Sequence, residues 1–418
     1  MRKLHQNIFY YYSGGETKGK DVDKQLEDNT TKALINVLEN ISSEMQKAFI
    51  QRIIGKKLRC ISEITCLLQS SSIPKDISEV PIRILLGISK DGKVNERATT
   101  SSEDTIPDAW MWCDDFVILI ENKVYGELSR GQLRQHKRLL GGKCEEIKRS
   151  WVDDIYPIVN GFARKKDLNE KDTFIFNELK RYLEVIGMSK FEGFDKQDFM
   201  RKYCDDKDRE EFDYLKNKFD SLANSVDEKL KSSGFKFSGA TPDFEERNLG
   251  YSAFYKKYIG PKGGKYKYYK HAHFSIFEDN GVSIKLHVVG PHLRNLGEKL
   301  RDGEKRKQFV SLVKKLKNSK QNYEITLSER KHIGKETGKR YHTTSSCEYT
   351  IYPTDITNKH LEPMIDMILD SKIKKWFSIY CTFDPKKAEE KGKGIVDEIV
   401  NIFTKDWWPL YEYVTKPA

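Results

Sequence analysis

The strongest constraint on folding is an unbroken apolar run, Phe116-Val117-Ile118-Leu119-Ile120, that passes directly into Glu121-Asn122-Lys123. Side chains alternate along a strand, so Val117 and Leu119 face one way while Ile118 and Ile120 face the other. A strand apolar on both faces needs cover on both, which a sheet between layers of helix supplies. Upstream, Ala109-Trp110-Met111-Trp112 reads as a second strand, and the intervening Asp114-Asp115 is a turn-forming pair. Folding the two strands back around residues 113–115 sets Asp108 opposite Ile120, beside Glu121. Glu121 and Lys123 then share one face, and Asn122 points to the other. Two carboxylates and one ammonium converge at the end of a hydrophobic hairpin.

Burying such a cluster without compensation is costly. A hard divalent cation resolves the cost, because Mg²⁺ (or Mn²⁺) takes oxygen ligands and keeps several waters for a substrate phosphate and a nucleophile. The cation would acidify a bound water and stabilise a pentacovalent phosphate, while the lysine ammonium orients the water or offsets developing charge. A Glu-x-Lys triplet alone is common in charged proteins. Here it joins Pro107-Asp108 ahead of a turn, an apolar strand leading into the triplet, and a polar helix following it. The competing reading of Asp108, Glu121 and Lys123 is a surface salt-bridge cluster.

These residues resemble the PD-(D/E)XK nuclease superfamily, with Pro107-Asp108 as the first half of the motif and Glu121-Asn122-Lys123 as the second. The surroundings look like the subgroup whose core strand reads Ile-Glu-Asn-Lys and whose next helix carries Gln-Leu-x-x-Tyr. That helix reads Gln132-Leu133-Arg134-Gln135-His136 here, and the departure at His136 leaves the role of that residue open. Gln132 and His136 lie on one helical face, where the family places a residue steadying the site or touching the phosphate. The subgroup also opens its first helix with an acid, which Glu27-Asp28-Asn29-Thr30-Thr31 resembles. The resemblance thus implies a restriction-endonuclease-like α/β core, a mixed β-sheet flanked by helices. It implies Asp108, Glu121 and Glu27 around the metal, with Glu44 the alternative to Glu27, and Lys123 and Gln132 completing the site. It further implies phosphodiester hydrolysis, in DNA rather than RNA, in a setting of bacterial restriction or anti-phage defence. Glu27 has a competing reading as a helix-start acid favoured by the macrodipole, and Gln132 as a polar residue of a helix surface. The likeness covers residues 24–140, extending to 190 through helical sequence, and says nothing of 235–418.

At 418 residues the chain has room for two or three domains of roughly 150 residues. Apolar residues at three- and four-residue steps predict helix over 24–58, from Leu26 through Leu38 and Phe49 to Ile54. Residues 81–88 read as a first strand, 127–140 as a helix, and 173–230 as helical, with Phe174, Phe176, Leu179 and Leu183 on the apolar stripe. Near Phe235 aromatic and aliphatic alternation takes over, as in His273-Phe274-Ser275-Ile276-Phe277. Helices follow at 359–370 and 386–404, and Trp407-Trp408 packs a terminal helix. The expected division is a nuclease-like domain over 1–165, a helical extension over 166–232, and a basic, aromatic-rich α+β domain over 233–418 that binds substrate or regulates.

The formal net charge of +11 is concentrated. Residues 231–350 hold 25 Lys and Arg against 12 Asp and Glu, with Lys262, Lys265, Lys267 and Lys270 interleaved with tyrosines. Cations neutralise phosphates and aromatic faces stack on bases, so these lysines, with Arg340, are candidate nucleic-acid contacts. The competing reading is a solvated strand edge whose lysines discourage aggregation. Gly260-Pro261-Lys262-Gly263-Gly264-Lys265 lacks the spacing and the Ser or Thr of a phosphate loop and reads as a hairpin turn. His271-Ala272-His273 reads as structural; a metal-independent RNA-cleaving site is the remnant alternative.

Mean hydropathy of −0.68 and an apolar run far below the ~20 residues of a bilayer span exclude a membrane helix. Aromatic content of 11% excludes a disordered chain. Seven scattered cysteines without a C-x-x-C pair indicate reduced thiols, and no signal-peptide core follows Met1, so a cytoplasmic location is expected. Besides a DNA nuclease, two readings stand: an RNA- or tRNA-cleaving enzyme of the same fold, and a catalytically inactive nucleic-acid-binding protein. A homodimer, and control by a regulatory protein or signal molecule, are further expectations.

Overall fold

The computed structural model describes residues 7–9, 20–59, 63–70, 80–98, 106–199, 209–235, 240–245, 254–259, 272–319, 321–333, 342–352, 356–370 and 375–417. The chain forms two compact units, Met1–Lys190 and Phe191–Ala418. The division falls inside the 166–232 stretch.

The first unit opens with α1 (Lys20–Asn40) and α2 (Ser43–Ile54). The helical stretch expected over 24–58 is present as two helices. Ile41 keeps the apolar spacing, but Ser42 is extended at φ −61° and ψ 148°, and both its N–H and its hydroxyl donate to the buried carboxylate of Asp172. A partner from the later helix Glu170–Val185 breaks the helix where local spacing would continue it.

Strands β1 (Thr65–Leu68), β2 (Ile82–Ser89), β4 (Ala109–Trp112), β5 (Phe116–Lys123) and β7 (Glu145–Ser150) form a mixed sheet in the order β1-β4-β5-β2-β7. The pairs β1/β4 and β4/β5 are antiparallel, while β5/β2 and β2/β7 are parallel. Two-residue strands β3 (Val94–Asn95) and β6 (Leu128–Ser129) pair beside it, and α3 (Arg130–Leu139) follows β6. After β7 come a short π-turn (Trp151–Ile155), α4 (Tyr156–Ala163) and α5 (Glu170–Val185). Four-residue β1, ahead of the expected first strand, is too short to leave a periodic signal.

The sheet is covered on both faces, as the apolar run requires. Val117 and Leu119 pack with Leu85, Trp110, Leu128 and Leu133, the last from α3. The opposite face carries Asn122, which bonds to α1. All residues from Phe116 to Ile120 are fully buried. Phe174, expected on an apolar stripe, is exposed, whereas Phe176 and Leu179 of the same helix are buried.

The second unit contains α6 (Arg209–Ser232), β8 (Ala240–Glu245), β9 (Phe254–Ile259), β10 (His273–Glu278), β11 (Val282–Val288), α7 (Gly290–Leu300), α8 (Gly303–Lys315), β12 (Tyr323–Ile333) and β13 (His342–Ile351). It ends with α9 (Asn358–Leu369), β14 (Lys375–Phe383), α10 (Pro385–Lys391), α11 (Ile395–Asn401) and α12 (Trp408–Thr415). The strands make one antiparallel sheet, β13-β12-β14-β11-β10-β9-β8. Its apolar face, with Phe274, Ile284, Leu286, Ile325 and Ile379, joins the helices in one core that includes the fully buried Trp407. The other face carries His273, Ser275, Ser283, His287 and Ser378, all buried. His273 and His287 are cross-strand partners with stacked rings 5.1 Å apart, so His273 is accounted for by packing. Lys262, Lys265, Lys267, Lys270 and Arg340 lie outside the described residues, as do the Gly260–Lys265 turn and His271.

Candidate active site

The hairpin that carries the motif closes through the Cys113 N–H donating to the Phe116 carbonyl at 3.0 Å, which leaves Asp114 and Asp115 as a two-residue turn. That turn sets the register Ala109↔Ile120, Trp110↔Leu119, Met111↔Ile118 and Trp112↔Val117. The expected pairing of Asp108 with Ile120 is off by one position. Asp108 lies one step beyond the last pair, in line with Glu121 itself, and on the same face. The Asn122 backbone N–H donates to Asp108 Oδ2 at 2.6 Å, fixing the carboxylate at the strand end.

Lys123 projects on the Glu121 side, its Nζ 3.4 Å from Glu121 Oε1 and 3.2 Å from Glu27 Oε2. The acid that reaches the site is therefore Glu27, from the second turn of α1, while Glu44 sits exposed in the first turn of α2. Glu121 is buried at 2% exposure, and its Oε2 lies 2.8 Å from Nε2 of the fully buried His136. Gln132, one turn earlier on α3, supplies its backbone N–H to the Ser129 hydroxyl that caps the helix. The α3 side chain bonded to the cluster is that of His136. The Gln-Leu-x-x-His spacing was the sequence signal for it.

Asn122, on the other face, is the anchor that sequence reasoning passed over. Its Nδ2 donates to the Glu27 carbonyl at 3.1 Å and to Thr31 Oγ1 at 3.0 Å, and its Oδ1 accepts from Trp151 Nε1 at 2.7 Å. One buried amide thus ties β5 to α1 and to the π-turn after β7.

The electrostatics follow from three carboxyl groups around one ammonium. Burial, and after it the repulsion of Glu121, push the Asp108 carboxyl up to about 7, with Glu27 adding to the rise and the Asn122 N–H and Lys123 opposing it. Burial works against the Lys123 ammonium. The carboxylates of Glu121, Glu27 and Asp108 outweigh it and hold the lysine above its usual range. Lys123 is therefore a charged donor and not a base. Asp108 also lines a cavity of about 120 Å³ with Asp28, Asn29, Thr31 and Lys32 of α1 and Leu68 and Gln69 at the end of β1. Gln69 occupies the left-handed region at φ 43° and donates its N–H to the Asp108 carbonyl at 3.0 Å.

Among the described residues no three His, Cys, Asp or Glu side chains close around one point as a preformed metal cage. The donor set fits a different kind of ion site. Asp108 and Glu121 stand at matched positions on adjacent strands and repel each other, with the single Lys123 ammonium set against them and Glu27. Mg²⁺ is held through one or two carboxylates and keeps its remaining waters.

No family model matches the chain, and searches of curated proteins and of solved structures give no match. No helix among the described residues is long and apolar enough to cross a membrane. The class defined here is a mixed α/β protein, with a mixed sheet flanked by helices and a carboxylate–lysine cluster at the end of a central strand.

Proposed function

We propose that the Met1–Lys190 unit is a metal-dependent nuclease with a restriction-endonuclease-like core, hydrolysing phosphodiester bonds in DNA. One observation carries the reading: Glu27 and Glu121 pair with a single ammonium that also feels the charge of Asp108, and Asp108 opens onto a cavity. A partly buried site with that charge excess is built to be completed by a cation. Asp108 Oδ1 and Glu121 Oε1, the second of which also faces the Lys123 ammonium at 3.4 Å, are the oxygens that would hold it, since the partner oxygens accept from Asn122 and His136. When bound, Mg²⁺ or Mn²⁺ supplies Lewis-acid stabilisation of the phosphate and an acidified water. Lys123 orients the attacking water and offsets negative charge growing on the phosphate, because its own proton is held firmly. Glu27 holds the Lys123 ammonium and orients water on the α1 side. The α1 residues Asn29 and Lys32, in the same cavity as Asp108, line the approach of the phosphodiester. The resemblance to PD-(D/E)XK nucleases supports restriction or anti-phage defence as the setting.

Purified protein is expected to nick or degrade DNA with Mg²⁺ or Mn²⁺, and Asp108→Ala and Lys123→Ala to abolish this while remaining folded. Equal cleavage by wild type and both variants would remove the proposal. Parallel assays on duplex DNA, single-stranded DNA and total RNA decide the substrate.

A further inference from the structure

His136 is fully buried against a buried carboxylate, and hydrolysis as described above gives it no task. We propose that His136 is a positioning residue that restricts Glu121 to one ion-binding oxygen, and that it thereby sets the site's preference for Mg²⁺ and Mn²⁺ over Ca²⁺. The inference rests on the reading of Asp108 and Glu121 as ion ligands.

The hydrogen bond fixes the tautomer. As an ion ligand Glu121 is a carboxylate that only accepts, and in that role its 2.8 Å contact through Oε2 makes His136 Nε2 the donor. Nδ1 is buried and has no hydrogen-bond partner among the described residues. A second N–H there would be left unsatisfied in a dry environment, so Nδ1 keeps its lone pair. The imidazole is a one-way donor aimed at a single oxygen.

The helix that carries it has little freedom to shift. Leu133, one turn earlier, packs with Leu85, Val117 and Leu119. Gly87, the β2 partner of Glu121, makes room for this approach; a Cβ there would stand 2.8 Å from a Leu128 methyl. Asp108 is constrained in the same way, its Oδ2 accepting from the Asn122 N–H. Each carboxylate has one oxygen held at 2.8 Å or less by a protein donor, while the other, on Glu121, meets only the more distant Lys123 ammonium at 3.4 Å.

Coordination through both oxygens of Glu121 would require Oε2 to leave His136. Mg²⁺ is satisfied by single carboxylate oxygens and water in an octahedron, whereas Ca²⁺ takes six to eight oxygens and readily accepts both from one carboxylate. Holding Oε2 therefore costs the larger ion more than the smaller one.

The test is calorimetric titration of the full-length chain with Mn²⁺ and, separately, Ca²⁺. His136→Leu removes the donor. His136→Gln places an amide N–H near the Nε2 position, and His136→Asn reaches only as far as Nδ1. His136→Leu and His136→Asn are expected to weaken Mn²⁺ binding about 10- to 100-fold and Ca²⁺ binding less, so that the preference falls. His136→Gln is expected to retain the wild-type preference. Should His136→Leu fail to fold, the Gln and Asn variants carry the comparison. An equal loss for both ions, or Asn behaving as Gln does, would overturn the positioning role. Asp108→Ala separates this inference from the reading beneath it. If Asp108→Ala abolishes Mn²⁺ binding while the His136 variants bind as wild type, only the inference about His136 falls. If wild type binds no Mn²⁺, the nuclease reading falls and takes the inference with it.

Discussion

Asn122 donates its side-chain amide to the backbone carbonyl of Glu27 at 3.1 Å, so the strand bearing Glu121 and Lys123 is bonded to the helical turn bearing the third carboxylate. The same amide bonds to Thr31 and accepts from the Trp151 indole. The site is therefore assembled across both faces of β5.

Asn122→Ala should be costly for folding. It leaves the buried Trp151 N–H without its acceptor, worth roughly 1–3 kcal/mol when unsatisfied, and removes the amide's bonds to the Glu27 carbonyl, which still accepts from Thr31 Oγ1, and to Thr31 Oγ1 itself. A fall of roughly 2–4 kcal/mol in unfolding free energy is expected from urea titration. A loss within the error of the measurement would contradict the anchoring role.

Lys123→Met should separate ion binding from chemistry. The two ligand carboxylates remain, so calorimetric Mn²⁺ binding should persist, while cleavage falls roughly 10²- to 10³-fold through loss of a charged donor at the reacting phosphate. Loss of Mn²⁺ binding together with cleavage would count against this assignment.

Asp108→Asn should stabilise the ion-free protein at pH 8. The native carboxyl is raised to about 7, above its unfolded value, so its proton binds more tightly in the folded state. The stability this contributes is present below the unfolded value and is lost as pH rises through about 7. Denaturant melts in chelator should show a gain for Asp108→Asn of roughly 1–3 kcal/mol at pH 8, shrinking towards pH 4. Added Mg²⁺ should stabilise wild type and leave Asp108→Asn unchanged.

Glu278 gives an independent case in the second unit. It is buried at the end of β10, and burial, with Asp279 adding repulsion, raises its carboxyl to about 7. The sign is the same, so Glu278→Gln should raise the melting temperature at pH 8 and lose that advantage near pH 4. Its melts should not respond to Mg²⁺ differently from wild type.

What the sequence disclosed, and what it concealed, follows the range of the interactions involved. Alternation along 116–123 placed Glu121 and Lys123 together and Asn122 opposite, because the period of a strand is local. The register slipped by one because it is set by whether the turn holds two residues or three, which Cys113 and Phe116 decide by closing around Asp114-Asp115. The break between α1 and α2 was hidden because its cause, Asp172, is far away in the chain. His136 lay on the predicted helix face, yet its bond to Glu121 depends on how α3 meets the sheet. Glu27 and Glu44 were equivalent as helix-opening acids until α1 was seen to deliver only the first to Lys123.

The central place of β5 has a mechanical consequence. Bonded to β2 along one side and β4 along the other, it cannot swing towards a ligand without breaking ladders on both sides. The reacting groups at its tip form a fixed anvil, and whatever is worked there must be brought to it. Adaptation to different ligands then belongs to the rim: the solvent-facing residues of α1 and the four-residue edge strand β1.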